Sequence, residues 1–170
     1  MNEYRQIVEA TLLTQKLKEQ IKEKNVPTEA KQVYLYAILV DTKEEASQVI
    51  ERLHKGEDFA ALAAEVSTDE TTKPYGGNLG WVPQGVLISE LDQAAFSIEA
   101  GNVSEPIATS TGYYVIKVSE IAENRLVDDQ YREILASNEL TNWFKEQRNV
   151  IEIREYLDQT KATWAVNHIT

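Results

Sequence analysis

The chain has 170 residues, no cysteine and a formal net charge of −11 at pH 7. The absence of cysteine excludes disulfide and thiolate chemistry, and the acidic balance argues against nucleic acid or an anionic membrane as a partner. No stretch reaches the ~18 consecutive apolar residues of a membrane span. The length predicts one domain, or one domain with helical appendages.

The N-terminal segment, residues 3–24, has the pattern of an amphipathic helix. Its apolar residues recur at spacings of three and four and form one stripe; they are Ile7, Ala10, Leu13, Leu17 and Ile21. Pro27 ends the helix, because proline disfavours helical backbone in the residue before it. A lone amphipathic helix is marginal in water, so the stripe requires a partner.

The middle of the chain alternates strand and helix signals. Val33–Val40 is rich in β-branched and aromatic residues and predicts a strand. Thr42 and Glu45 have capping-box spacing and open a helix, and Asp58 caps the next one. The remaining predicted elements are a short strand at Leu79–Val82, a helix capped by Ser89 and running to Phe96, a strand near Val103–Thr109 and a strand at Tyr113–Val118.

After Glu123 the pattern becomes helical again. Asp128 and Asp129 can cap a helix with apolar residues on one side, residues 149–153 predict a short strand, and Trp164 lies in a weak last helix. The predicted organisation is an N-terminal helix at residues 1–31, a central domain at 32–122 and a C-terminal helical segment at 123–170. Packing the two outer helices together would bury both stripes, so we expect that pairing.

The central loop, residues 67–81, reads S-T-D-E-T-T-K-P-Y-G-G-N-L-G-W. Glycine tolerates positive φ and close approach of backbone or ligand, so three glycines within five residues mark a shaped loop. Asp69 supplies an acid on this loop, and Leu79 and Trp81 supply apolar surface beside it. One acid, a bent backbone and an apolar wall are the parts of a peptide-binding cleft.

This run resembles the signature of the parvulin-type peptidyl-prolyl cis-trans isomerases, and other motifs follow in that family's order across about residues 33–120. The resemblance implies an α+β fold, with a small antiparallel sheet surrounded by helices and flanked by N- and C-terminal helices. It also implies a non-covalent isomerase that needs no metal or cofactor. The further motifs lie at residues 33–40, 56–63, 94–96, 101–107 and 111–118.

The resemblance also assigns roles to individual residues. Asp69 matches the acidic position of the active site, and Leu79 an apolar wall. Leu87 and Leu91 match residues that cup the proline ring, and Phe96 matches a second aromatic. Thr109 and Thr111 match hydroxyls at the turn before the last strand, Thr109 as a catalytic group and Thr111 as a substrate-binding one. Two alternatives stay open: Asp69 as the acceptor of an Asx-turn, and Trp81 as a packing residue.

The chain departs from the family at two positions. The family carries a His in its first strand and another in its last, where this chain has Ala37 and Tyr114. One small and one large side chain could fill the same volume, and the Tyr114 hydroxyl could serve catalysis near Asp69 or a threonine. Three functions therefore remain open: a working isomerase, a weak or inactive peptide-binding module of a chaperone, and a scaffold whose helices do the work.

The expected partners are unfolded or extended proline-containing polypeptides, without phosphate-specific recognition. The first strand-to-helix connection, Asp41–Lys43, holds none of the clustered arginines that phosphate recognition needs. The two distant histidines make a metal site improbable. Helices on both sides of a parvulin domain resemble bacterial extracytoplasmic foldases and their chaperone modules. This implies an extracytoplasmic location, a signal or anchor preceding Met1, and a possible homodimer formed through the terminal helices.

Overall fold

The computed structural model describes residues 2–150 of the chain. Four strands form one antiparallel sheet in the order β2-β1-β4-β3. The strands are β1 (Glu29–Val40), β2 (Asn78–Pro83), β3 (Ile107–Thr109) and β4 (Gly112–Leu126). The helices are α1 (Asn2–Lys24), α2 (Lys43–His54), α3 (Phe59–Val66), α4 (Ser89–Ser97) and α5 (Asp129–Val150), with a 3₁₀ turn at Lys73–Tyr75. The α+β fold expected from the sequence is confirmed.

The sheet carries an apolar core on each face, because successive strand side chains point to opposite sides. On the first face, which we call the α4 face, buried strand residues pack with Leu91 and Ala95 of α4; these strand residues are Val33, Leu35, Ala37, Val82, Ile116 and Val118. On the second, the α2–α3 face, Ile38, Val40 and Val115 pack with residues of α2 and α3. Covering both faces gives a small sheet enough burial to be stable.

The helix caps predicted at Thr42 and Asp58 are confirmed. The Glu45 N–H donates to Thr42 Oγ1 at 3.2 Å and the Thr42 N–H to Glu45 Oε2 at 3.1 Å, which completes a capping box at α2. Asp58 caps α3 through the N–H of residue 61. The prediction that Ser89 caps α4 is wrong: the first helical hydrogen bond of α4 already ends on the Ile88 carbonyl, so Ser89 lies inside the first turn.

The strand predicted near Val103–Thr109 is shorter than expected and covers only Ile107–Thr109. Before it, Val103 makes an isolated bridge to Lys117, and the Ile116 N–H donates to the hydroxyl of buried Ser104 at 3.0 Å. Pro106 has no N–H to donate, so a regular ladder cannot run through this segment.

Strands β1 and β4 are longer than predicted and remain paired as far as Glu29 and Leu126. Gln32 stabilises the pairing at this end of the two strands, because its buried amide donates to the carbonyls of Arg125 and Leu126 at 3.0 and 2.9 Å. The boundaries placed at 31/32 and 122/123 therefore fall within paired strands. Short connections, residues 25–28 and 127–128, join the outer helices to these two strands.

Helices α1 and α5 contact each other within the chain. Lys22 forms ion pairs with Asp129, at 2.8 Å, and with Glu133, which also pairs with Lys18 at 2.9 Å. Ile21 is buried near these ion pairs. A role of the two helices as a chaperone module stays a prediction. Helix α5 continues through residues 149 and 150, while the rest of the strand predicted at 149–153, like Trp164, lies outside the described residues. Within residues 2–150, no helix combines the length and apolarity needed to cross a membrane.

Candidate active site

The α4 face brings together five of the residues expected to form the site. They are Leu79 of β2, Leu87 of the following loop, Leu91 and Phe96 of α4, and Tyr114 of β4. Leu91 belongs to the buried cluster of this face, and the other four are half-buried against it. Residues from two strands, a loop and a helix therefore converge on one apolar surface, as a pocket for a proline ring requires.

Ala37 and Tyr114, the two positions where the family has histidine, lie on this same face. Ala37 is opposite Ile116 and Tyr114 is opposite Leu39, so Ala37 and Tyr114 are diagonal neighbours on adjacent strands. Diagonal positions are about 7–8 Å apart, within reach of an aromatic ring. Among the hydrogen bonds of the described residues, none involves the Tyr114 hydroxyl, and that oxygen is not a buried unsatisfied atom. It is accordingly neither hydrogen-bonded nor fully buried.

The central loop lies along the edge of β1 beyond the end of β2. The Leu39 N–H donates to Ser67 Oγ at 3.2 Å, and the Leu39 carbonyl accepts from the Thr68 N–H at 2.8 Å. At the other end of the loop, the Ala37 N–H donates to the Gly77 carbonyl at 2.8 Å. Both ends of the loop are therefore fixed to the strand that carries Ala37.

The carboxylate of Asp69 makes local hydrogen bonds. Its Oδ1 accepts from the Thr71 N–H at 3.0 Å, which is the Asx-turn geometry, and its Oδ2 accepts from the hydroxyl of buried Thr72. Burial raises the pKa of Asp69, but the hydrogen bonds from Thr72 and Thr71 oppose it, and the net pKa lies below the ordinary aspartate value. Asp69 is therefore an ionised, half-buried acceptor at neutral pH.

Asp69 and Tyr114 lie on different elements, the central loop and β4. The central loop is bonded to Leu39 of β1, and Leu39 pairs with Tyr114. Two inter-strand spacings, roughly 10 Å, thus separate the loop backbone from that of Tyr114. Among residues 2–150 there is no hydrogen bond between Asp69 and Tyr114.

Thr109 and Thr111 lie on the β3–β4 hairpin, one strand further from Asp69. The Thr109 hydroxyl donates to the Gly112 carbonyl at 2.9 Å and accepts from the Thr111 N–H at 3.3 Å. The two threonine hydroxyls are 3.1 Å apart. Thr109 therefore closes the turn, while Thr111 is exposed.

Trp81 is not brought together with the other predicted residues. It is paired with Tyr34, whose ring meets it edge-on at 5.5 Å between centroids. Tyr34 in turn contacts Tyr36, which packs on the α2–α3 face. The Arg125 guanidinium lies 4.6 Å from the Trp81 ring centroid. The structure places Trp81 on the opposite side of the sheet from the apolar surface.

Sequence reasoning missed the buried hydroxyls that shape the central loop. Ser67 is 1% exposed and accepts from the N–H groups of Leu39 and Asp69, while Thr72 is 6% exposed and donates to Asp69. A signal was present, because hydroxyl residues two and three positions from an aspartate often form such local motifs. The burial of Ser67 involves its contact with Leu39 of β1, which spacing does not reveal.

Comparisons with known proteins match the central part of this chain to one family. Residues 37–120 match the Rotamase family, a PPIC-type PPIase domain. The foldase protein PrsA of Caldanaerobacter subterraneus subsp. tengcongensis is 50% identical over 80 residues, which are 47% of this chain and 26% of that protein. The crystal structure of the peptidylprolyl isomerase PrsA from Bacillus cereus has a TM-score of 0.59 at 28% identity, covering 97% of this chain and 69% of that one. NmPin, the parvulin of Nitrosopumilus maritimus, has a TM-score of 0.51 at 36% identity, covering 54% of this chain and 98% of that one.

The four-stranded antiparallel sheet, with α4 on one face and α2 and α3 on the other, is thus a parvulin domain. The chain belongs to the PPIC-type, or parvulin, peptidyl-prolyl isomerase family, and it is similar to bacterial foldase proteins named PrsA. It spans 26% and 35% of the lengths of two PrsA relatives that it matches.

Proposed function

We propose that this chain is a peptidyl-prolyl cis-trans isomerase and foldase that acts non-covalently on X-Pro bonds of unfolded or extended polypeptides. The observation that carries the proposal is the convergence of Leu79, Leu87, Leu91, Phe96 and Tyr114 on one face of a domain matched by the PPIC-type family. That face offers an apolar surface for a proline ring, bordered by hydrogen-bonding groups.

The reaction needs no covalent step, because its barrier of ~18–20 kcal/mol comes from amide resonance. A catalyst must hold the proline ring and favour the twisted amide over both planar forms. In our proposal Leu87, Leu91 and Phe96 hold the ring. The free hydroxyl of Tyr114 and the ionised carboxylate of Asp69 lie on either side of the amide.

The two threonines take different parts in this proposal. The Thr109 hydroxyl is engaged within the hairpin, so it fixes the turn. The exposed Thr111 hydroxyl is the group of the pair that can meet a substrate carbonyl. Trp81 is left out of the pocket because it lies on the other face of the sheet.

A second candidate function is a peptide-binding module with little or no catalysis. It is favoured by Ala37 and Tyr114 at the histidine positions and by the local hydrogen bonds that occupy both oxygens of Asp69. The same apolar surface would bind proline peptides without accelerating their isomerisation.

The test measures cis-to-trans isomerisation of peptides with varied residues before proline. Wild type is compared with Asp69→Ala and with Asp41→Ala, a matched removal of an exposed acid on the β1–α2 connection. We expect catalysis by wild type, retained in Asp41→Ala and reduced in Asp69→Ala. A folded wild type without catalysis that still binds the peptides would instead establish the binding module.

The proposed substrates are not phosphorylated. At the start of α2, a position where helix N–H groups commonly hold anions, the Glu45 carboxylate already accepts from the N–H groups of Asp41 and Thr42 at 3.2 and 3.1 Å. Glu44 adds a second negative charge in the first turn. Phosphopeptides should therefore bind no better than their unmodified forms, which a paired binding titration measures.

We also propose an extracytoplasmic location and a chaperone role for the outer helices. The resemblance to bacterial foldases supports both, and the relatives are named foldases. In a homodimer formed by a swap of α1, Lys22 of one chain would contact Glu133 of the other. Light scattering measures whether the protein has the mass of a dimer. Secretion of the full-length protein, followed by fractionation of the cells, tests the location.

A further inference from the structure

The turn between β2 and α4 is held from both sides through one residue, Gly85. Its N–H donates to Asp92 Oδ1 of α4 at 2.8 Å, and its carbonyl accepts from Asn138 Nδ2 of α5 at 3.0 Å. Its φ is +87°, and a Cβ at this position would lie 3.2 Å from Leu135 Cδ2 of α5. The flanking helix therefore contacts the turn directly and closely.

This turn leads straight into the candidate site. Leu87, two residues after Gly85, packs against the apolar cluster of the α4 face. Leu87 also lines a cavity of about 330 Å³ between the turn, the start of α4 and α5, together with Asn138, Thr141, Asn142 and Lys145. One side chain thus borders both the proposed proline pocket and the flanking helix.

Asp92 holds the Gly85 turn against α4. It is half-buried, and burial raises the pKa of its carboxyl above the ordinary aspartate value while the backbone N–H groups of Gly85 and Leu87 act in the opposite direction. The N–H of Gly85 is thereby fixed to α4. The Asn138 amide donates the hydrogen bond that fixes the Gly85 carbonyl, in the next peptide unit, to α5.

We propose that Asn138 of α5 is a positioning residue that sets the Leu87 wall of the proline pocket, so that the flanking helix shapes the isomerase site. This inference rests on the proposed function for its kinetic consequence. Loss of the Asn138 hydrogen bond frees the turn and loosens a wall that contacts the proline ring in both the ground state and the transition state. Loss of such uniform binding raises KM and leaves kcat nearly unchanged.

The experiment uses the full 170-residue chain and the isosteric change Asn138→Asp, which replaces the amide donor with an acceptor facing the Gly85 carbonyl. Asn142→Asp is the matched control: it adds the same charge one turn later on the same helix and lines the same cavity. We expect KM for X-Pro peptides to rise roughly two- to tenfold in Asn138→Asp, the range for one neutral hydrogen bond, with kcat near that of wild type. Asn142→Asp should match wild type, and Asn138→Gln, which keeps the donor, should recover part of the loss.

Two structural readouts accompany the kinetics: the methyl resonances of Leu87 and hydrogen exchange at the Gly85 N–H. A purely stabilising role of Asn138 would lower the melting temperature without moving the Leu87 resonances at low temperature. If wild type is active and Asn138→Asp behaves like Asn142→Asp in KM, the inference is wrong and the proposed function stands. If wild type is inactive, the proposed function fails. The positioning role is then supported if Asn138→Asp, and not Asn142→Asp, shifts the Leu87 methyl resonances and speeds hydrogen exchange at the Gly85 N–H. It is wrong if Asn138→Asp changes neither.

Discussion

The hydroxyl of Thr72 donates to the carboxylate of Asp69 within the central loop that borders the candidate site. Thr72 is 6% exposed, so its hydroxyl has little access to water, and Asp69 is its side-chain acceptor. The threonine thereby holds the carboxylate in its ionised form and in a fixed orientation. The ionised carboxylate of Asp69 in the candidate site is therefore stabilised by a residue of its own loop.

Replacing Thr72 with the isosteric valine should raise the pKa of Asp69, because a hydrogen bond to the charged form lowers it. A hydrogen bond to a charged group contributes about 1.5–3 kcal/mol, so the free energy of unfolding should fall by up to that amount. An NMR titration of the Asp69 carboxyl and a urea unfolding curve measure the two effects. Thr68→Val removes a hydroxyl that donates to Leu39 rather than to Asp69, and it should leave the titration unchanged.

Contact between α1 and α5 should weaken in acid through Glu133. Hydrogen bonds from Lys18 and Lys22 lower the pKa of Glu133 to about 2, from an ordinary value of 4.5. A carboxyl with a lowered folded-state pKa stabilises the contact above its unfolded pKa, and that contribution is lost as the pH falls from about 4.5 towards 2. Hydrogen exchange of α1 amides across this pH range measures the loss.

The matched pair for this test is Glu133→Gln and Glu139→Gln on the same helix. The first variant should make α1 protection less dependent on pH in that window, with the Lys22–Asp129 ion pair left in place, and less sensitive to salt, since exposed ion pairs are screened. Glu139 makes no ion pair among the described residues, so its variant should follow wild type. Equal pH profiles for all three proteins would contradict the role given to Glu133.

Ala37 and Tyr114 should behave as a coupled pair. Ala37 is 3% exposed and lies diagonal to Tyr114, so a histidine at position 37 enters a filled space. Overpacking of this kind costs about 1–3 kcal/mol, and Tyr114→His, which shortens the facing side chain, should recover part of it. A double-mutant cycle of urea unfolding measures the coupling, and additive single effects would show that the two positions do not share one volume.

A second substitution at position 114 separates the packing of the Tyr114 ring from a catalytic role of its hydroxyl. Tyr114→Phe removes a hydroxyl that has no partner among residues 2–150, so the free energy of unfolding should change by no more than about 0.5 kcal/mol. Isomerase activity should fall if the hydroxyl contacts the substrate amide. Full activity in a Tyr114→Phe protein would remove the hydroxyl from the mechanism.

The fold could be predicted largely because local signals agree with it. The capping box at Thr42, the cap at Asp58 and the β-branched run at Val33–Val40 each specify their element without help from the rest of the chain. Element ends were less predictable where distant residues decide them. The amide of Gln32 extends β1 and β4 by bonding to carbonyls 93 and 94 residues away, and no local pattern shows that contact.

In the candidate site, too, some contacts could be predicted from the sequence and others appear only in the folded chain. Resemblance placed Leu79, Leu87, Leu91 and Phe96 on a common surface, and the structure brings them together. Trp81 could not be assigned to a face, because a bulge between Leu35 and Tyr36 breaks the register that would fix it. The contact of Asn138 with Gly85 joins residues 53 apart in the chain, and only the packing of α5 reveals it.

Gly77 and Gly80 offer a direct test of how tightly the central loop is held against β1. Both have a left-handed backbone, with φ of +76° and +70°, so alanine pays a similar conformational cost of about 1–2 kcal/mol at either position. A Cβ on Gly77 would lie 2.3 Å from the Ala37 carbonyl oxygen, whereas one on Gly80 meets nothing within 4 Å. Gly77→Ala should therefore destabilise the protein clearly more than Gly80→Ala in urea unfolding, and it should also weaken peptide binding, because the loop must move away from the strand that carries Ala37. Equal losses in the two variants would mean that the Gly77 end of the loop can move away from β1 at little cost, which would contradict a tightly held contact with the Ala37 backbone.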